Sequence, residues 1–184
     1  MFHSNNLVIT LKKVISSIPT EKKEKDKFLE RTQGGNLSRE ENPLSHFCVY
    51  FAAYDPSAKQ VFIGHHIKSG LWLFNGGHFE KGENPKEALK REIKEEWGTN
   101  VNFPKIPKPE LMTLTKIEHP EKQICRYHYD IWYFFSFNKN QFLPDNNLLA
   151  KEFYQIGWKS ILNARKLIRD PNTLIALVKV EEML

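Results

Sequence analysis

Cysteine is scarce in this chain. Two residues, Cys48 and Cys125, are spread over 184 positions, and both fall inside apolar, strand-like runs. A disulfide-stapled scaffold is thereby excluded, and a metal role for either thiol would need further partners. The expected state is two buried free thiols in a reducing cytoplasm. Long apolar runs are also missing. Nothing approaches the roughly 20 residues that cross a bilayer. The opening stretch, MFHSNNLVITLKKVISS, has no basic segment followed by a clean apolar one, so neither a membrane span nor a secretory leader is expected. A strong excess of one charge is lacking as well. The 27 basic and 22 acidic residues leave a formal net charge of +5. That balance suits attraction of a polyanionic small molecule. With no basic stripe interleaved with aromatics, it argues against nucleic acid as the partner. There is no internal repeat and no long low-complexity tract.

What is present divides near residue 42. Residues 1–42 read as a polar, helical extension, and 43–184 as one domain of ordinary size. In the extension, Leu7, Leu11, Val14, Ile15 and Ile18 form an apolar face at helical spacing. Ser17 or Thr20 is expected to cap a second helix over EKKEKDKFLERTQ, which stops at Gly34-Gly35. These helices could cover the core or make a homodimer contact. After Asn42-Pro43 the pattern turns to strands at 46–54, 60–67 and 71–74, the last ending in an Asn75-Gly76-Gly77 loop. Further strands are expected over 110–119, 124–137 and 153–158, with a polar loop at 138–151. Ser160 and Asp170-Pro171 announce two closing helices. Strands interspersed with helices able to cover both sheet faces make this an α/β sandwich.

The chemically informative stretch is GGHFEKGENPKEALKREIKEEWGTN, residues 76–100. Asn84 is a good N-cap, Pro85 suits the first helical position, and Glu87 stands where it can complete a capping box. Ala88, Leu89, Ile93 and Trp97 supply apolar contacts, and Gly98 supplies a left-handed stop. On that helix Glu92, Glu95 and Glu96 stand at i, i+3 and i+4 and share one face. Like charges at this spacing repel, and carboxylates near a helix C-terminus oppose its dipole. Hard divalent cations would offset that cost. A solvated acidic face relieved by Lys90, Arg91 and Lys94 fits the same spacing.

The wider spacing runs Gly77, five residues, Glu83, seven residues, Arg91-Glu92-Ile93, one residue, Glu95-Glu96, one residue, Gly98. In this the chain resembles the Nudix hydrolases at every charged and glycine position of their box. Thr99 departs from the usual apolar residue, and its methyl is expected to turn inward. Asn75 departs from a common proline, with the expectation of a looser loop that leaves the metal ligands untouched. The runs REENPLSHF, VFIGHH, WLFNGGHFE and RYHYDIWYFF resemble a bacterial group of the family with a helical N-terminal extension. The resemblance implies an α/β/α sandwich with a mixed sheet. It implies Mg²⁺ or Mn²⁺ on Glu92, Glu95 and Glu96, with help from the Gly77 carbonyl, and Arg91 with Glu83 as the pair that orients the carboxylates. It also implies hydrolysis of a pyrophosphate bond in a nucleoside diphosphate linked to another group.

A water attacking phosphorus needs a general base. Glu95 or Glu96 is the first candidate and Glu152, in the polar loop, the second. For substrate contacts, Arg126, His128, Asp130 and Trp132 alternate along one strand and so share a face. A ligand-facing role and a structural hydrogen-bond network suit His128 and Asp130 equally. Trp72, Phe74 and Phe79 flank the glycine loop and could stack on a base or serve as core. His65, His66 and His78 show no zinc-ligand spacing. A non-catalytic nucleotide sensor and an enzyme trimming RNA 5′ phosphates are the competing readings. No box acid is lost, which opposes the first.

Overall fold

The computed structural model describes residues 2–98, 106–117 and 124–184, with side chains from Asn6 onward. Thr99 and the far end of the expected 110–119 strand lie outside the described residues. Helices α1 (Phe2–Ser17) and α2 (Lys22–Gln33) come first. Their apolar face packs as the spacing requires: Leu11, Ile15, Ile18 and Phe28 are buried in one cluster with Phe47, Val49 and Phe51 of the sheet. The two helices therefore cover the core. The N-cap position of α2 is Glu21, which makes no side-chain cap, so the expected cap at Ser17 or Thr20 is corrected; the Ser17 hydroxyl bonds back to Val14 instead.

The sheet contains β1 (Ser45–Asp55), β2 (Gln60–His66), β3 (Trp72–Leu73), β4 (Asn75–His78), β5 (Leu111–Lys116), β6 (Tyr127–Ser136) and β7 (Phe153–Ser160). Its main path is β3-β2-β1-β6-β5, with β4 paired to β1 and β7 to β2. The β1–β6 ladder is parallel and the other pairings are antiparallel, giving the mixed sheet expected. Alternation along the central strand sorts two cores. Phe47, Val49 and Phe51 face α1, α2 and α3 (Pro85–Glu96), while Ala52 and the partly buried Tyr50 face α5 (Ile161–Leu167) and α6 (Pro171–Glu181). That is an α/β/α sandwich.

Helix ends follow their signals. Asn84 and Glu87 form the reciprocal capping box. Ser160 accepts from the Asn163 amide and Asp170 from the Thr173 amide. Gly98 closes α3 at φ +81°, a conformation that costs glycine little. Trp97, just before it, is buried against Phe51 and Phe142. Three elements differ from the sequence reading. Residues 75–78 form a strand, because pairing with β1 overrides the poor strand propensity of two glycines. Strand β6 starts at Tyr127, leaving Arg126 outside it. A short helix, α4 (Asn146–Glu152), occupies the expected polar loop, capped by Asp145. Among the described residues no helix is long and apolar enough to cross a membrane.

Candidate metal and phosphate site

Strand β4 and helix α3 meet face to face. The register sets Gly77 opposite Val49 and Gly76 opposite Tyr50, so Gly77 looks toward α3 and Gly76 away from it. A Cβ at Gly77 would land on the Glu92 carboxylate. Only glycine lets strand and helix come this close, and it leaves the Gly77 main chain beside a carboxylate.

Glu96 lies one turn further along α3, buried with 7% exposure. It accepts from the Gly76 amide at 3.2 Å and from the Asn75 side-chain amide. The expectation that Asn75 leaves the carboxylates untouched is therefore corrected: it holds one of them. Its other amide atom, Oδ1, is buried without a hydrogen bond. Burial pushes Glu96 up to about 8, against the hydrogen bond from Asn75. Burial pushes Glu92 up to about 7, against the pull of Arg91. Two carboxylates that resist ionisation side by side are a charge deficit that a cation would relieve. The donor set is hard oxygen, which fits the Mg²⁺ or Mn²⁺ class.

Arg91 is the hub of the site. Its guanidinium forks onto Glu83, with Nε to Oε1 at 2.8 Å and Nη2 to Oε2 at 2.9 Å. The remaining donors reach Glu92 Oε1 at 2.8 Å, Glu95 Oε2 at 3.1 Å and the His78 carbonyl at 2.8 Å. Burial opposes ionisation of Glu83, yet the Arg91 fork and the Glu80 amide hold it below its ordinary value. Bidentate charge-assisted bonds of this kind fix orientation as well as energy. Glu95 is 56% exposed along its side chain and free to turn toward a ligand. Glu152 ends α4. It pairs with Lys68 at 3.2 Å and His66 at 3.6 Å, and its charge is felt by Glu96.

The other expected contacts separate. Phe79 is buried against the Phe47 ring, so of the two roles open to it the core one holds and stacking on a base does not. Trp72 is half-buried between the His65 ring and the Lys159 ammonium. Arg126 is exposed and precedes β6, so it does not share the strand face with His128 and Asp130. Asp130 is fully buried. Thr113 and Thr115 donate to its Oδ2 at 3.0 and 2.5 Å, themselves accepting from Trp132 and Asn172. Its Oδ1 has no hydrogen-bond partner among the described residues. Burial pushes Asp130 up to about 8 against those two hydroxyls. His128 is buried beside His46 and His78 at ring distances of 4.9 and 5.0 Å. This grouping, and the Asn75 contact, escaped the sequence reading.

Comparison with known proteins accounts for the arrangement. The family model described as NUDIX domain matches residues 45–172. Among solved structures, the dihydroneopterin triphosphate pyrophosphohydrolase of E. coli is 16% identical with a TM-score of 0.56, covering 72% of this chain and 92% of that one. A NUDIX family hydrolase from Clostridium perfringens is 23% identical with a TM-score of 0.54, covering 75% and 97%. An RNA pyrophosphohydrolase of Helicobacter pylori (strain ATCC 700392 / 26695) is 50% identical over 46 residues, 24% of this chain and 30% of that protein's length. The local match spans less than a third of the relative, whereas the domain match spans most of this sequence: the chain belongs to the Nudix family.

Proposed function

We propose that this protein hydrolyses a phosphoanhydride bond in a nucleoside diphosphate linked to another group. The observation that carries the reading is the packing of Glu92 and Glu96 against the Gly76-Gly77 strand, with Glu95 beside them on the same helix face and Arg91 bonded to Glu92 and Glu95. Glu92, Glu95 and Glu96, with the Gly77 carbonyl, would hold Mg²⁺ or Mn²⁺. When bound, such an ion neutralises phosphate charge and acidifies water. The chain's own residues do the rest. Arg91, anchored by Glu83, fixes the Glu92 carboxylate. Asn75 and the Gly76 amide fix Glu96. Glu95, held among the described residues through Arg91 Nη1 alone, is the carboxylate best able to take the proton from an attacking water. Glu152 is the second candidate, but its engagement with Lys68 and His66 competes with that role. Asp130, on the other sheet face, suits recognition of the non-phosphate half, with Trp72 at the β2–β3 edge. The buried, unpaired thiols fit a cytoplasmic setting.

A second reading has support of its own: the 46-residue likeness to an RNA pyrophosphohydrolase points to 5′-triphosphorylated RNA as substrate. A panel of nucleotide sugars, dinucleoside polyphosphates, nucleoside triphosphates and 5′-triphosphorylated RNA, assayed for phosphate or pyrophosphate release with and without Mg²⁺, separates the two. Turnover of a linked nucleoside diphosphate that vanishes without metal is the expected result. Turnover of RNA alone would select the second reading, and hydrolysis indifferent to metal would remove both.

A further inference from the structure

We propose that His46, Cys48, His78 and His128 form a zinc site on the sheet face opposite α3, distinct from the carboxylate site. The register brings them together. His46 pairs with His128 across the parallel β1–β6 ladder, and Cys48 pairs with His78 across the antiparallel β1–β4 ladder. All four therefore project from the same face, two residues apart on the central strand. One ligand atom from each lies within 4.8 Å of the others. The three imidazoles form a near-equilateral group, with ring centroids 4.9, 4.9 and 5.0 Å apart. A tetrahedral zinc with nitrogen at about 2.1 Å and sulfur at about 2.3 Å sets its donors about 3.5 Å apart. Side-chain adjustments of about 1 Å would close the gap.

Three of the four are buried, His78 is partly so, and their polar atoms are incompletely used. His128 is 6% exposed and its Nε2 has no hydrogen-bond partner among the described residues. Leaving a buried ring nitrogen unpaired is costly, and a metal bond would satisfy it. His46 is oriented from behind. Its Nδ1 lies 3.0 Å from the Asn42 carbonyl, the kind of outer contact that fixes a ligating histidine's tautomer and leaves Nε2 its lone pair. Three imidazoles and a thiolate are the soft and borderline donors that zinc prefers and magnesium refuses. Cys48 would give up its thiol proton to solvent on binding. Four protein ligands leave no open position, so the ion's role is structural: it ties β1, β4 and β6 together. Cys125 sits outside the set. Its sulfur lies 3.8 Å from His46 Nε2 and competes with the ion for that nitrogen.

The inference is independent of the phosphate chemistry. The test uses the full chain stripped of metal and titrated with Co²⁺, then with Zn²⁺. The parent is expected to show one equivalent of tetrahedral Co²⁺ with a thiolate charge-transfer band, displaced by Zn²⁺ and untouched by Mg²⁺. Zn²⁺ at a hundredfold excess over its Kd should raise Tm by about 5–10 °C. Cys48→Ser should abolish the band and His128→Ala should weaken binding at least tenfold. Cys125→Ser should keep the band, as should the Glu92→Gln/Glu96→Gln double variant. Absence of the band in the parent overturns the proposal whatever the variants do. So does its loss in Cys125→Ser with retention in Cys48→Ser, or its loss in the glutamate double variant.

Discussion

Two polar sites lie back to back across strand β4, and they are built in opposite ways. On one face Gly77 meets Glu92, with Glu96 and Glu95 beside it on a single helix. On the other, His78 meets His46 and His128, drawn from two further strands, together with Cys48. The first site is hard, acidic and open toward solvent through Glu95. The second is soft, neutral and closed. The first gathers its groups by helical spacing within five residues; the second gathers them by strand register across more than eighty positions. The contrast teaches that one four-residue strand can serve two chemistries when its alternate residues face different layers. It also suggests different duties. An open carboxylate stack can admit phosphates and water, whereas a closed imidazole–thiol group holds architecture.

The sharpest way to break the comparison is at Glu95. Glu95→Gln should lower kcat/KM by about 10²–10⁴-fold with little change in Tm, since the residue is largely exposed; activity equal to the parent would sink the assigned site. Arg91→Ala comes next. Losing the fork to Glu83 and the bonds to Glu92 and Glu95 should cost about 10–100-fold in activity or metal affinity, and Arg91→Lys should recover only part because it lacks the fork. Metal titration by calorimetry checks both. Gly77→Ala should weaken Mg²⁺ affinity about tenfold, by displacing the Glu92 carboxylate, while a strand-stability probe such as hydrogen exchange at β4 reports a milder change.

The smallest effect sharpens the contrast with another buried carboxylate. Asp55 has complete partners: Oδ1 accepts from the Ser57 amide and hydroxyl and the Ala58 amide, and Oδ2 from the Lys139 amide at 2.8 Å. Burial alone would raise it, yet these bonds hold it down at about 2. Glu96 and Asp130, with fewer donors, go the other way. Because the folded value of Asp55 lies below the unfolded one, its contribution is full above about pH 4. It should be lost as pH falls toward 2. Asp55→Asn should cost about 1–3 kcal/mol at pH 7 and flatten the acid limb of the stability profile, as read by urea melts between pH 5 and 2. An unchanged acid limb would contradict this account.

The legibility of each feature followed its locality. Helix α3, its capping box and the three glutamates were readable because capping and helical spacing operate within a dozen residues. The apolar face of α1 was readable for the same reason. Strand β4 was not, since Gly76-Gly77 carries no strand signal and forms one only through pairing with β1. The Asn75–Glu96 contact was hidden by that same misreading as a loop. Helix α4 was too short to show periodicity. His46, Cys48, His78 and His128 share no spacing rule; only the ladder registers put them together. Phe79 looked available for stacking because its sequence position beside the glycines says nothing about which layer its ring enters.

The double duty of β1 restricts where this gene can gain or lose codons. A single-residue insertion between His46 and Phe51 would rotate every later side chain to the opposite face. Inserted just after His46, it would set Phe47 in the place of the Cys48 thiol, and Gly77 would lose its place across from α3. Length changes should accumulate instead at the 56–59 turn or the 67–71 connection, where no layer depends on parity.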